Sequence, residues 1–476
     1  LHQRVGCLAG YLSDNGVNKG GRVAFLMLNS SDILEVIFAC WRIGAVCLSL
    51  NYRLTPNELK FIIEDSNPKV MFYDTDMAPL VSSLKPIVNI DHWVSSAGNG
   101  DKSNYETAID QGSESFLDDC IEQDLSEQCM LMYSSVTTGK PKCVIITHEM
   151  LHFGAIDMTR VGGLNSNTVS LVNMPMFHIA GLNLSALAPI WAGGTLKVMR
   201  VFDPLSTLKC MQDTSDPISF MLMVPAAFNA VRALPDAPKG NYSHIEWAAI
   251  GAEAVPVDLL SWWYECGLTI REGFGMTETA GFGCMLLPDD IPHAYGSAGH
   301  PAPNAQMKIV DAQGETCKPD ELGELMIRGG CVTPGYWNRP DATEAAFDDG
   351  WFKSGDIAKM DEAGRVYLED RLKDMYISGG ENVYPAEVEN VLYQLPEVAE
   401  VAVIGIPHST WGEVGCAFVV MNSGQSIDLG TLQKHCASEL AKYKIPARLE
   451  VIDVLPRTAS GKVQKFELRQ LIEPLG

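Results

Sequence analysis

The sequence has no CxxC pair among its 13 cysteines, which are odd in number and scattered along the chain. That excludes a disulfide framework and a cysteine-rich zinc site, and it points to the reduced thiols of a cytoplasmic protein. Long apolar runs are missing too. The most apolar stretch, ILEVIFACWRIGAVCLSL, is interrupted by Glu35 and Arg42 and reads as a buried helix followed by a strand, so no transmembrane segment is expected. Basic residues are scarce: 35 Lys and Arg stand against 59 Asp and Glu, for a formal charge of -24. Such a field argues against a nucleic-acid binder, and it means that any anionic substrate needs a locally positive site. No repeat, low-complexity run or signal peptide is visible. The sequence opens at Leu1 instead of Met, directly inside an amphipathic pattern. Some N-terminal sequence is therefore expected to be missing, and any leader would belong to that piece.

What is present describes a folded chain of several units. Its 476 residues suggest about three, and 46% hydrophobic with 20% charged residues is ordinary globular composition. Up to about residue 360, short β-rich runs alternate with helical patterns (RVAFLML, then SDILEVIFACWRIG, then AVCLSL), with Ser31 and Thr55 as candidate helix caps. This predicts an α/β fold with two parallel-rich sheets and flanking helices. Short Gly-, Asp- and Pro-broken strands between 295 and 370 predict a small β-barrel unit. After 375 a compact α+β pattern follows, with the charged EDRLKD segment as the boundary. The expected domains are 1–372 and 373–476.

Several segments carry functional groups, each with an ordinary structural alternative. MYSSVTTGKPKCV (132–144) sets small residues, hydroxyls and Lys140 and Lys142 between two strands, as a phosphate loop or a plain β-turn would. It is not a Walker A loop, because Pro141 stands where a magnesium-holding Ser or Thr belongs. REGFGMTET (271–279) offers Phe274 for a base, Thr277 for a phosphate and Glu278 for Mg²⁺, or else a tight turn. Asp356 in KSGDIAK suits a pair of ribose hydroxyls, or is a turn carboxylate. His148-Glu149-Met150-Leu151-His152 matches the HExxH zinc-protease pattern, but no third ligand follows at the family spacing. The glycines of GFGCML (281–286) fail dinucleotide spacing and read as backbone adjustments.

In order, TTGKPK, GMTET, GWFKSGD, DRLKD, SGGENVYPAEVE and the Gly461-Lys462 pair after PRTAS resemble the adenylate-forming superfamily of acyl-CoA synthetases, luciferase and peptide-synthetase adenylation domains. The resemblance spans essentially the whole chain. It implies an AMP-forming acid–thiol ligase: a carboxylic acid attacks the α-phosphate of ATP, giving acyl-AMP and pyrophosphate, and coenzyme A then takes the acyl group. Thr137, Thr138, Gly139 and Lys142 would form the phosphate loop. Gly251, Ala252 and Glu253, with Phe274, Gly275 and Met276, would frame the adenine. Thr277 would touch the α-phosphate, Glu278 would hold Mg²⁺, and Asp356 and Arg371 would serve the ribose. Lys462 would bridge the attacking carboxylate and the α-phosphate, where a fixed ammonium stabilises the transition state more than the ground state. Lys373 occupies the family pivot, so the C-terminal domain would be mobile, with Gly379 and Gly380 lining the thiol path and Trp411 near the coenzyme A nucleotide.

Two positions depart from the family pattern: Val136 and Cys143 stand where glycine is usual. Val136 matters more, since a β-branched residue takes positive φ poorly. The acid pocket implied by the resemblance is lined by PMFHIAGLN, FMLMVPAAF, GAEAV and TETAGFG. His178 would meet the substrate's carboxyl end, or else be a satisfied core histidine. Met221, Met223, Val224, Ala280 and Gly281 are expected to form a deformable apolar wall. With no arginine evident for a second carboxylate, a medium-chain fatty acid or an aryl acid fits best. Two alternatives stand beside the coenzyme A ligase: an enzyme loading a carrier protein, and a nucleotide-binding pseudoenzyme with an impaired phosphate loop. A homodimer is carried as an option.

Overall fold

Apolar strands joined by helices favour parallel pairing with crossovers, and among the described residues two of four sheets are built largely that way. The computed structural model describes residues 1–97, 104–134, 141–252, 255–371, 374–378, 381–408, 411–440, 442–457 and 463–472, without the side chains of Ser134, Asp370, Arg371, Asn382 and Ser438. In the first sheet the spatial order is His92–Ser96, Val70–Asp74, Arg22–Leu26, Val46–Ser49, Gln128–Ser134, Lys142–Thr147. All its pairs are parallel but the last, which brackets the segment expected to hold phosphate.

The second sheet aligns Ile270–Phe274, Trp247–Ile250, Phe220–Met223, Val169–Val172 and Thr195–Val198 in parallel. Two short antiparallel strands, Cys284–Met285 and His300–Pro301, extend its edge. The third sheet is antiparallel, with Trp351–Met360 pairing Gly323–Gly329, Phe347–Asp348 and Val366–Arg371. The fourth is built on the long hairpin of Val398–His408 and Gly412–Met421. Its alternating residues fill two small cores, Val401 and Val403 toward the helices Pro385–Leu392 and Leu429–Glu439, Ala402 and Ile404 toward Lys465–Gln470.

The apolar stretch interrupted by Glu35 is indeed a helix, Ser31–Arg42, followed by the strand Val46–Ser49. Glu35 is buried there because Arg4 Nε (2.7 Å) and the Tyr105 hydroxyl (2.8 Å) both donate to it. Ser31 does not cap this helix. Ser30 occupies the cap position in extended backbone, and its side chain makes no capping bond. Thr55 does cap Pro56–Ser66, in a reciprocal box with Glu58. None of the 13 cysteines is disulfide-bonded, and among the described residues no helix is long and apolar enough to cross a membrane.

Asn29, at the end of a first-sheet strand, fastens the two large sheets together. Its Nδ2 donates to the carbonyls of Met174 (2.8 Å) and Met199 (3.0 Å), while Met176 N donates to its Oδ1 (2.8 Å). Ser49 Oγ adds a bond to the Phe177 carbonyl at 3.1 Å.

Candidate active site

The chain gathers its functional groups where the second sheet's parallel strands end. Ile270–Phe274 leads into a turn so tight that a Cβ on Gly275 would run into the Gly281 carbonyl oxygen. A Cβ on Gly251, at the end of the adjacent strand, would likewise meet the Gly273 carbonyl. Neighbouring backbone fills the space at both positions, so only glycine fits these two strand ends beside Phe274. Ala252 follows at φ +75°, a left-handed conformation uncommon for a residue with a side chain.

Thr277–Thr279 form a single helical turn, closed by Ala280 in left-handed backbone (φ +54°). Asn183 Nδ2 holds this turn by donating to the Ala280 carbonyl at 2.8 Å. Glu278 is 7% exposed. Its backbone carbonyl accepts from Thr333 N (2.8 Å), and its Oε1 accepts from the Tyr336 hydroxyl at 3.0 Å. Burial, then the charge of Glu278, pushes the Tyr336 hydroxyl well above its ordinary range, so it remains a donor. Lys142 Nζ lies 4.8 Å from the centre of the same ring, and Tyr336 bridges to Val144 on the lysine's own strand. One aromatic ring thus joins the lysine of TTGKPK to the carboxylate of GMTET.

Asp356 lies on the third sheet's central strand, buried, with its N–H donating to Ser354 Oγ at 3.1 Å and Arg371 as its register partner. Gly355 before it has φ +72°, the conformation that turns the SGD segment. His178 follows the loop that Asn29 and Ser49 fasten, and its backbone leads into the π-helical segment Ala180–Leu187. Trp411 is 55% exposed, which leaves its ring open to solvent. Cys143 is a buried strand residue, its backbone carbonyl accepting from Trp337 N at 2.8 Å. Thr137, Thr138, Gly139, Val136, Glu253, Lys373, Gly379, Gly380 and Lys462 lie outside the described residues, as does the side chain of Arg371.

The apolar wall expected from Met221 and Met223 requires correction. Strand side chains alternate, so Phe220 and Leu222 face the helix His148–Gly162 and the π-helical segment, while both methionines pack in a separate core on the opposite face. The HExxH pattern is occupied otherwise. His148 Nε2 is 3.0 Å from Gln123 Oε1, and His152 packs edge-on against Phe153 and Trp191. Among the described residues no three His, Cys, Asp or Glu side chains come together for a metal.

Tyr336 and Arg271 were passed over in the sequence. Tyr336 lies 58 residues from Glu278, with no shared motif to connect them. Arg271 stood three residues ahead of Phe274, inside a segment already singled out.

Comparison with known proteins agrees with this geometry. Residues 1–337 match the family model described as AMP-binding enzyme, and residues 387–462 that of the AMP-binding enzyme C-terminal domain. The chain is 36% identical over 472 residues to a feruloyl-CoA synthase of Amycolatopsis sp., covering 99% of this chain and 92% of the relative. It superposes on ATP-bound MatB from Rhodopseudomonas palustris with a TM-score of 0.91 at 29% identity, covering 99% and 92% of the two chains. It superposes on the anthranilate CoA ligase AuaEII in complex with anthranoyl-AMP with a TM-score of 0.90 at 26% identity, covering 99% and 91%.

Proposed function

The chain belongs to the AMP-binding enzyme family, and from that premise we propose that it activates a carboxylic acid with ATP and transfers the acyl group to coenzyme A. The observation that carries the reading is the Lys142–Tyr336–Glu278 arrangement, assembled from three distant segments beside the Thr277–Ala280 turn. In the first step a carboxylate oxygen attacks the α-phosphorus and the bond to pyrophosphate breaks. In the second the coenzyme A sulfur, having lost its proton, attacks the acyl carbon and AMP leaves.

Gly251, Gly275 and Phe274 form the adenine cradle in this reading, at strand ends where backbone packs too closely for a side chain on either glycine. Asp356 takes the ribose hydroxyls, and the Thr277 hydroxyl faces the α-phosphate. Lys142 draws the polyphosphate into a negative protein. The chain fits Mg²⁺ through Glu278: with one oxygen held by Tyr336, the carboxylate supplies a single hard ligand, and phosphate and water would complete the shell. When bound, the cation would neutralise charge on the phosphates. We place the domain boundary at 372/373, with Lys462 delivered by a mobile 373–476 unit. The matched ranges 1–337 and 387–462 support that division. A medium-chain fatty or aryl acid is the substrate class, in keeping with a feruloyl-CoA synthase and an anthranilate CoA ligase among the similar proteins. The same reading includes a cytoplasmic setting, favoured by unbonded cysteines, and a homodimer, which light scattering would decide.

The test is AMP release across a panel of acids, with and without coenzyme A. Turnover that needs coenzyme A supports the reading. Acyl-AMP accumulating without transfer supports a carrier-loading enzyme, and silence supports a pseudoenzyme.

A further inference from the structure

Arg271 has an unusual setting for a guanidinium. Its register partner is Ala249, so it stands on the same face of the second sheet as Trp247, Phe220 and Leu222, the face this reading gives to the acid. Its Cζ lies 5.8 Å from the centre of the Trp247 ring, and one Nη donates to the Val161 carbonyl at 3.1 Å. Among the described residues no carboxylate pairs with it. Burial lowers its proton affinity, and no acidic neighbour offsets the effect. Beside it, Trp247 is 2% exposed, and its Nε1 has no acceptor among the described residues.

An arginine carries five N–H donors in a planar fork, and a half-buried cation without a counterion is unfavourable unless something supplies oxygen acceptors. The cluster packed on this face includes Met158, Phe220, Leu222 and Phe282. The position also sets a length. Phe274, whose ring projects from the opposite face, marks the strand's end three positions on from Arg271, roughly 10 Å of strand at about 3.3 Å per residue. That is the scale of an arylpropenoic acid lying along the strand with its carboxyl toward the nucleotide.

We propose that Arg271 recognises an oxygen acceptor, a phenol or a carboxylate, at the far end of an aryl acid, with the Trp247 N–H as a second donor. This rests on the ligase reading and narrows its substrate class.

The experiment measures coenzyme A-dependent AMP release with cinnamate, para-hydroxycinnamate, para-carboxycinnamate and hexanoate. The enzymes are wild type, Arg271→Met and Arg271→Lys. Wild type should favour a para-oxygen acid over cinnamate by about 10- to 150-fold in kcat/KM, the range for one hydrogen bond to a charged group. Which of the two para acids is preferred identifies the oxygen group. Arg271→Met should remove the preference, mainly through KM, because the contact is remote from the reacting carboxyl. Arg271→Lys keeps the charge without the fork and should retain only part of it. A wild type indifferent to the para group overturns the proposal, even if Arg271→Met fails to fold. A preference intact in either variant overturns it as well. AMP release confined to cinnamate and hexanoate refutes the Arg271 assignment alone; none from any acid refutes the ligase reading itself.

Discussion

Tyr336→Phe removes one oxygen atom and separates two jobs that the tyrosine performs together. The ring stays in place 4.8 Å from Lys142, while Glu278 Oε1 loses its 3.0 Å donor. Both residues are nearly buried, Tyr336 at 8% and Glu278 at 7% exposure, so water replaces the lost hydroxyl poorly. A hydrogen bond to a charged group contributes about 1.5–3 kcal/mol. At about 1.4 kcal/mol per tenfold, this corresponds to roughly 10- to 150-fold. The loss should fall on the metal-dependent first step, because an untethered Glu278 must be reordered before it can hold a cation. Acid-dependent ATP–pyrophosphate exchange is measured over a magnesium titration, with calorimetric binding of ATP and magnesium as a readout independent of turnover. The expected outcome is a raised magnesium requirement and weaker metal-dependent ATP binding. Tyr336→Leu should lose a further ~0.5–2 kcal/mol from the cation–π contact with Lys142. An unchanged magnesium dependence in Tyr336→Phe refutes the reasoning.

Lys462→Ala should slow acyl-AMP formation by about 100- to 1,000-fold in single-turnover assays, and near-normal adenylation removes Lys462 from the mechanism. Val136→Gly should change ATP–pyrophosphate exchange only modestly; a gain of orders of magnitude means that the natural valine impairs the phosphate loop. Burial pushes the Glu272 carboxyl up from 4.5 to about 8, against a lowering bond from the Gly296 N–H. The folded protein then holds a proton that the unfolded chain has released, so this group's contribution is greatest below pH 4.5 and declines as pH rises toward 8. The slope is at most about 1.4 kcal/mol per pH unit. Glu272→Gln should flatten the pH dependence of the urea midpoint across that window, and an unaltered slope counts against a neutral Glu272.

Much of the architecture was legible because period and punctuation are local signals. The helix and strand of the Glu35 segment and the Thr55 cap both follow from residues within a few positions of one another. Ser31 failed as a cap by one residue, since Ser30 and Ser31 are equivalent as letters and only backbone geometry distinguishes them. The site was legible as a set of segments but not as contacts. Glu278 and Tyr336 are 58 residues apart, and Lys142 is farther still from both. The misassigned wall of Met221 and Met223 is a different kind of miss. Once 220–223 is a strand, period two sends Phe220 and Leu222 to one face and both methionines to the other, yet nothing in the letters says which face receives the acid.

The Asn29 clamp recognises only backbone: the carbonyls of Met174 and Met199 and the N–H of Met176. Ser49 likewise holds a carbonyl, that of Phe177. The loop carrying His178 is therefore anchored by groups that every residue except proline possesses. The clamp itself sets no demand on the loop's side chains, whereas Asn29 has to stay. Exchanging segment 174–180 for that of a relative with a different acid should transplant a pocket without unseating it, provided the recipient keeps Asn29 and the graft has no proline at 176.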